Sequence, residues 1–280
     1  MHKIKLIALD MDGTALQNDH KSISRKMKKA IESAIEQNIM VVPTSGRICS
    51  VLPPAVTSLE GIDYAITSNG SVIYSLKEHT TVYSNYISGT DTLWILNNLP
   101  PDILVEIWRY GNIYIPSNQF RSLSEYPLYS LHIDVLRKIG IETNDLIRFV
   151  EQTPDAIEKI NLPYIPPSLK PKLWHLLAGR PEYSLIDTGA GIEIMHTKVS
   201  KAHGLFNLCS YFQHAHKQIN MENVLAIGDS ENDIEMLNAS GISVAMGNAN
   251  EKVKESAKNV TLSNIEDGAA LAIEKYALSR

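Results

Sequence analysis

Apolar residues along the chain recur with two different periods. Near the start, Ile4, Leu6, Ile7, Ala8 and Leu9 form an apolar run of strand length, the pattern of a strand buried on both faces. Over residues 22–37 the spacing changes to Met27, Ile31, Ala34 and Ile35 with Lys and Glu between them. That predicts an amphipathic helix, with Ser22 or Ser24 as N-cap and Asn38 as a left-handed residue past its end. Residues 39–42 and 64–67 are further short strands, with a helix broken near Pro53-Pro54 between them, and 72–74 with 81–83 read as a hairpin. Strands alternating with helices predict a parallel sheet with crossover connections. The alternation returns at the end, with a helix over 200–211, strands at 224–227, 242–246 and 260–262, and helices starting near Ile234, Glu251 and Asp267.

The middle of the chain has another rhythm. A helix over 90–99 precedes strands at 104–108 and 112–115 around Arg109-Tyr110-Gly111. A strand near 128–132 with helical pieces beyond it, a strand over 157–162, a helix over 168–177 and a hairpin of 183–187 with 191–195 complete the region. Hairpins joined by helices predict an α+β unit with antiparallel strands. The expected organisation is one α/β core built from 1–83 and 197–280, interrupted by an inserted unit over 84–196.

Composition adds little that is specific. The 280 residues are 44% hydrophobic and 20% charged, enough apolar side chains for one large core or two smaller ones. The net charge of −5 is spread along the chain and no Lys/Arg block occurs, which argues against a nucleic-acid partner. Cys49 and Cys209 match no metal-ligand spacing and are too few for a disulfide framework. With no apolar run near the ~20 residues that span a bilayer, the expectation is a soluble, cytoplasmic protein with no membrane partner. The nine histidines, His203, His214 and His216 among them, show no ligand spacing and read as surface residues.

Chemistry collects where strands end. Asp10-Met11-Asp12, Thr44-Ser45-Gly46-Arg47 and Asp229-Ser230-Glu231-Asn232-Asp233 each follow an apolar strand, and in a parallel sheet such ends converge on one crevice. Asp10 and Asp12 lie too close to go uncompensated unless a cation or a shared proton lies between them. The four aspartates, with no His or Cys nearby in sequence, fit a hard cation bound through oxygen, Mg²⁺ before Zn²⁺. Ser45, the Gly46 N–H and a lysine can hold remaining phosphate oxygens.

Asp10-Met11-Asp12-Gly13-Thr14, Ser45-Gly46, Lys201 and Gly228-Asp229-x-x-Asn232-Asp233 resemble the four motifs of the haloacid dehalogenase-like (HAD) hydrolases. The long insertion resembles the type-C2 cap of the Cof-like (IIB) phosphatases, as do Asn69-Gly70, Val199-Ser200-Lys201 and Ala245-Met246-Gly247-Asn248-Ala249. The resemblance implies a Rossmann-like HAD core carrying a C2 cap. It also implies a Mg²⁺-dependent phosphatase, monomer or homodimer, acting on a small phosphorylated metabolite such as a sugar phosphate or a flavin-biosynthesis intermediate.

By the same resemblance, Asp10 is the nucleophile that forms an aspartyl-phosphate, and Asp12 is the general acid and then base. Mg²⁺ sits on Asp10, the Asp12 carbonyl and Asp229. The Met11 N–H, Ser45, Gly46, Lys201 and Asn232 grip the phosphoryl oxygens, and Asp233 orients Lys201 or the metal waters. Asp12 separates this chain from transport ATPases of the superfamily, which carry Thr there. Either hydroxyl of Thr44-Ser45 can face the phosphate, and Ser45 is preferred because it directly precedes Gly46-Arg47. Arg47, Asn69 and Arg109 are candidate substrate contacts. Ala202 and Lys198 stand where the subfamily usually has Gly, without removing a catalytic group. Two other readings keep the same residues: a phosphomutase, and a phosphometabolite-binding protein without turnover.

Overall fold

The computed structural model describes residues 3–215 and 218–278. His216 lies outside them. The chain divides into two compact units, Met1–Tyr83 with Ser200–Arg280, and Ser84–Val199.

The first unit is organised on the Leu6–Leu9 strand, whose four residues are completely buried. Successive side chains of a strand point to opposite faces. Accordingly Ile7 and Leu9 pack with Met27, Ile31, Ala269 and Ile273, while Leu6 and Ala8 pack with Leu205, Leu208 and Phe212. Helices therefore cover both faces of a five-stranded parallel sheet. Its order is Asn259–Val260, Ile242–Ala245, Val224–Gly228, Leu6–Leu9 and Met40–Pro43. The helix Arg25–Glu36 buries Met27, Ala30, Ile31 and Ala34 on one stripe, is capped by Ser24 Oγ accepting from the Met27 N–H at 2.9 Å, and is followed by Asn38 at φ 58°. The register pairs Leu9 with both Pro43 and Ile227, so Asp10, Thr44 and Gly228-Asp229 emerge at one edge.

One strand is placed differently from the pattern's expectation. Tyr64–Thr67 does not extend the parallel sheet as a full member. It pairs antiparallel with Val72–Ser75 in a three-stranded sheet completed by Thr80–Ser84. It meets the main sheet through a single parallel bridge, Thr44 to Ile66. The turn that follows it at Ser68, Asn69 and Gly70, all at positive φ, reverses the chain at once into Val72–Ser75 and makes that pairing antiparallel.

The second unit carries a six-stranded sheet in the order Tyr183–Asp187, Ile192–His196, Ile157–Leu162, Glu106–Arg109, Asn112–Pro116, Gly140–Thr143. All pairs are antiparallel except the last. Ile107, Ile160, Leu162, Ile192 and Ile194 on one face pack with Ile95, Val150, Leu173 and Leu177 from three helices. The strand expected near 128–132 is instead the start of a helix, Ser130–Ile139. The short run Leu128 to His132 is ambiguous alone, and Ile133, Leu136 and Ile139 continue it at helical spacing. The edge strand Gly140–Thr143 was not expected, because its mostly exposed residues leave no alternating pattern.

The other face of this sheet is charged yet buried. Glu106 is fully buried and accepts from Trp108 Nε1 at 2.9 Å, Asn161 Nδ2 at 2.9 Å and His132 Nε2 at 2.7 Å. Lys159, also buried, lies 3.7 Å from the Trp108 ring centroid and bonds Glu193 Oε1 at 2.5 Å. Burial raises the Glu106 carboxyl, but the charge and hydrogen bond of His132 outweigh it and hold Glu106 below the ordinary value. His132, expected at the surface, is thus a half-buried ion-pair partner.

Candidate active site

Asp10 directly follows the central strand, its N–H donating to the Ile227 carbonyl at 3.0 Å. Its carboxylate is buried, and Lys201 Nζ donates to Oδ1 at 2.6 Å. The same Nζ donates to Asp233 Oδ1 at 2.6 Å, so one fully buried ammonium bridges two buried carboxylates. Lys201 stands in the first turn of the helix Lys201–His214, which Ser200 caps by accepting from the His203 N–H. Asp233 Oδ2 accepts from the N–H groups of Asp229 and Ser230, both at 3.0 Å, which closes the 228–233 loop and leaves Asp233 with both oxygens engaged. Asp229 Oδ1 accepts from Thr14 Oγ1 at 3.1 Å, and Oδ2 faces Asn248 Nδ2 at 3.3 Å.

Oxygens of Asp10, Asp229 and Asp233 lie within 4.8 Å of one another. Three carboxylates and one ammonium leave a formal charge of −2 in a largely buried space. Burial first, then repulsion from Asp233, pushes the Asp10 carboxyl well above its ordinary range, only partly opposed by Lys201. Asp229 is raised for the same two reasons, against the Thr14 hydrogen bond. Lys201 goes the other way: burial disfavours its charge, but Asp10 and Asp233 outweigh burial and keep it protonated. Asp10 Oδ2 is buried without a hydrogen-bond partner among the described residues. Gly13, at φ 75°, keeps the loop clear, since a Cβ there would stand 2.3 Å from Asp229 Oδ2. An orphaned carboxylate oxygen, an all-oxygen donor set and two excess negative charges fit a hard divalent cation.

Met11 is buried in the turn after Asp10. Thr44 and Ser45 part ways: the Thr44 hydroxyl donates back to the Val42 carbonyl at 3.1 Å, while Ser45 Oγ accepts from the Arg47 N–H at 3.1 Å and keeps its own proton to give. Gly46 backs onto Asn69, whose Oδ1 a Cβ at 46 would approach to 2.9 Å. Asn69 Oδ1 accepts from Asn232 Nδ2 at 3.0 Å, and Asn232 Oδ1 is a second buried atom lacking a partner among the described residues. Asp12 is more open, its side chain 39% exposed, and Arg47 and His20 hold it. Burial raises its carboxyl, but the hydrogen bond and charge of Arg47, then of His20, bring it below the ordinary value. Arg109 belongs to the second unit, where Nε donates to the Asp155 carbonyl at 3.0 Å and the guanidinium lies over Tyr110.

Two contributors at the site were not singled out from sequence. His20 has no motif context; it sits at φ 57° with its ring Nδ1 2.8 Å from Asp12 Oδ1. Asn248 stood in a recognisable segment without a role. Its Nδ2 donates to the Gly13 carbonyl at 2.9 Å, tying the Asp10 loop to the Asp229 loop.

The profile of the haloacid dehalogenase-like hydrolases matches residues 7–273. The chain belongs to this family. It is 31% identical over 284 residues to the 5-amino-6-(5-phospho-D-ribitylamino)uracil phosphatase YcsE of Bacillus subtilis, covering 98% of this chain and 96% of the relative. It is 29% identical over 291 residues to the putative phosphatase YxeH of the same organism, covering 99% of each. Among solved structures, a haloacid dehalogenase-like hydrolase from B. subtilis superposes with a TM-score of 0.78 at 27% identity, covering 97% of this chain and 99% of that one. The subclass IIB sugar phosphatase BT4131 shares the fold, with a TM-score of 0.75 at 19% identity over 98% and 100% of the two chains. The chain is therefore a Cof-like HAD hydrolase of the phosphatase class, and its buried acidic triad is of the kind that takes a divalent metal. Among the described residues no helix is long and apolar enough to cross a membrane.

Proposed function

We propose that this HAD protein is a Mg²⁺-dependent phosphomonoesterase that removes phosphate from a small metabolite through an aspartyl-phosphate on Asp10. The observation that carries the reading is the buried Lys201 bridge between Asp10 and Asp233, with Asp229 beside it and Asp10 Oδ2 unpartnered. Asp10, the Asp12 carbonyl and Asp229 would hold Mg²⁺, which when bound supplies the positive charge that lets an anionic nucleophile approach an anionic ester.

The chain's own residues do the rest. The Asp10 carboxylate attacks phosphorus, the bond to the leaving oxygen breaks, and Asp12 gives that oxygen a proton. Asp12 then takes a proton from water. The resulting hydroxide attacks the phosphoryl group, releasing inorganic phosphate and restoring Asp10. Lys201, Ser45, the N–H groups of Met11 and Gly46, and Asn232 receive the phosphoryl oxygens, while Asp233 keeps Lys201 aimed at Asp10. The inserted second unit is read as the cap. The preferred substrate class is a phosphomonoester on a sugar or polyol chain, supported by the likeness to YcsE.

Purified protein with Mg²⁺, offered a panel of phosphorylated metabolites, should release inorganic phosphate catalytically, and Asp10→Asn should release none while still binding phosphate. Near wild-type turnover by Asp10→Asn would overturn the nucleophile. Single-turnover retention of phosphate on a sugar product would make the protein a mutase.

A further inference from the structure

Arg47 is spent inside the core loops. Its Nε donates to Asp12 Oδ2 at 2.7 Å and its Nη2 to Asp12 Oδ1 at 2.5 Å, a two-pronged grip on one carboxylate. The same Nη2 donates to the His20 carbonyl at 2.9 Å, and Nη1 to the Val51 carbonyl at 3.2 Å. Of the five N–H donors on a guanidinium, four are thereby engaged. A side chain so committed has almost nothing left for a phosphoester.

His20 closes the arrangement from the other side, with Nδ1 2.8 Å from Asp12 Oδ1. Its left-handed φ of 57° is built in by the turn it occupies. The His20 N–H donates to the Gln17 carbonyl at 3.0 Å, the Gln17 N–H to the Ser22 carbonyl at 2.9 Å, and Asp19 Oδ1 accepts from the N–H groups of Lys21 and Ser22, both at 2.9 Å. Asp12 needs this support, because its side chain is 39% exposed on a loop beside Gly13. An unsupported carboxylate there would rotate freely. A carboxylate offers about four acceptor positions. Two on Oδ1 and one on Oδ2 are filled by Arg47 and His20, which leaves one on Oδ2 for the proton the reaction moves.

We propose that Arg47, assisted by His20, is a positioning residue that fixes the orientation of the Asp12 carboxylate, and is not a substrate contact. This rests on the reading of Asp12 as the group that protonates the leaving oxygen. Proton transfer is steep in distance and angle, so a loose Asp12 loses much of its effect.

The test is a double-mutant cycle with Asp12→Asn, Arg47→Ala and both together, assayed on phenyl phosphate and on p-nitrophenyl phosphate. The comparison uses kcat/KM, which reports steps up to leaving-group departure. Phenolate needs the proton more than p-nitrophenolate does. Asp12→Asn should lose about 10²-fold or more on phenyl phosphate, and at least about tenfold less on p-nitrophenyl phosphate. Arg47→Ala should follow the same leaving-group pattern, and the double variant should be no worse than Asp12→Asn within about twofold. Inhibition by inorganic phosphate should be unchanged in Arg47→Ala. Added guanidinium ion should restore activity to it, whereas Arg47→Lys, with one ammonium in place of a fork, should stay low. Rescue excludes a misfolded variant.

Additive losses, weakened phosphate inhibition, or equal losses on the two esters in Arg47→Ala alone would overturn the positioning role and leave Asp12's intact. Absence of leaving-group dependence in Asp12→Asn would remove the proton-transfer reading and this proposal with it.

Discussion

Replacing Lys201 by Met tests the charge balance of the site directly. The ammonium is fully buried and sits 2.6 Å from an oxygen of each of Asp10 and Asp233. At an effective dielectric constant of about 20, each contact is worth roughly 6 kcal/mol before desolvation. Dehydrating the ammonium returns several kcal/mol of that, and breaking a buried pair on one side costs about 3–5 kcal/mol net. In a unit of this size that is a fall in Tm of roughly 6–20 °C.

The pH dependence gives a sharper signature. Asp10 and Asp229 have folded-state values raised above the ordinary 3.8, chiefly by burial and then by Asp233. The stability they contribute is complete below the unfolded value and is lost as pH rises through the raised values. Lys201 opposes that rise, so its removal should deepen the loss at high pH. Thermal scans in EDTA should show a large deficit relative to wild type at pH 8 and a smaller one at pH 5. A deficit under about 2 °C at pH 8, or an equal deficit at both pH values, would refute the argument that Lys201 compensates these carboxylates.

Three further outcomes are expected. EDTA should stop phosphate release, Mg²⁺ should restore it, and Ca²⁺ should restore far less because its looser coordination tolerates poor in-line geometry; equal rates with both metals would contradict the metal assignment. Gly13→Ala forces a side chain to φ 75° with its Cβ 2.3 Å from Asp229 Oδ2, so Mg²⁺ affinity measured by calorimetry should fall at least about tenfold, and an unchanged affinity would separate Gly13 from the metal site. Glu106→Ala strands the donors of Trp108, Asn161 and His132 and should destabilise the second unit by about 3–5 kcal/mol, with Glu106→Gln milder; hydrogen exchange in the Glu106–Arg109 and Ile157–Leu162 strands reads the effect.

Local pattern determined most of the core. The Leu6–Leu9 run reads as buried on both faces because four consecutive apolar residues leave it no polar side, and the spacing of Met27, Ile31 and Ala34 serves a helix packed against it. Alternating strands and helices then brought Asp10, Ser45 and Asp229 to one sheet edge, since parallel strands all end on the same side. The second unit was legible as antiparallel hairpins joined by helices, with the helices expected over 90–99 and 168–177 found as Gly89–Asn98 and Lys170–Ala178. Its charged face was not, because the spacing of Glu106, Trp108, Lys159, Asn161 and Glu193 looks like solvated strand residues until a helix and neighbouring strands enclose them. The Gly140–Thr143 edge strand and the Ser130–Ile139 helix were likewise decided by what they pack against.

At the site, the resemblance of short stretches to four family motifs singled out Asp10, Asp12, Asp229, Asp233, Lys201 and Gly46 as candidates. It offered Arg47 only as a candidate substrate contact and gave His20 and Asn248 no role. Their hydrogen bonds at the site run across 35, 8 and 235 residues of separation. The His20 turn is closed locally by Gln17, Asp19 and Ser22, but the grip of Arg47 on Asp12 and the closing of the Gly13 loop against Asn248 exist only once the sheet has brought the strand ends together.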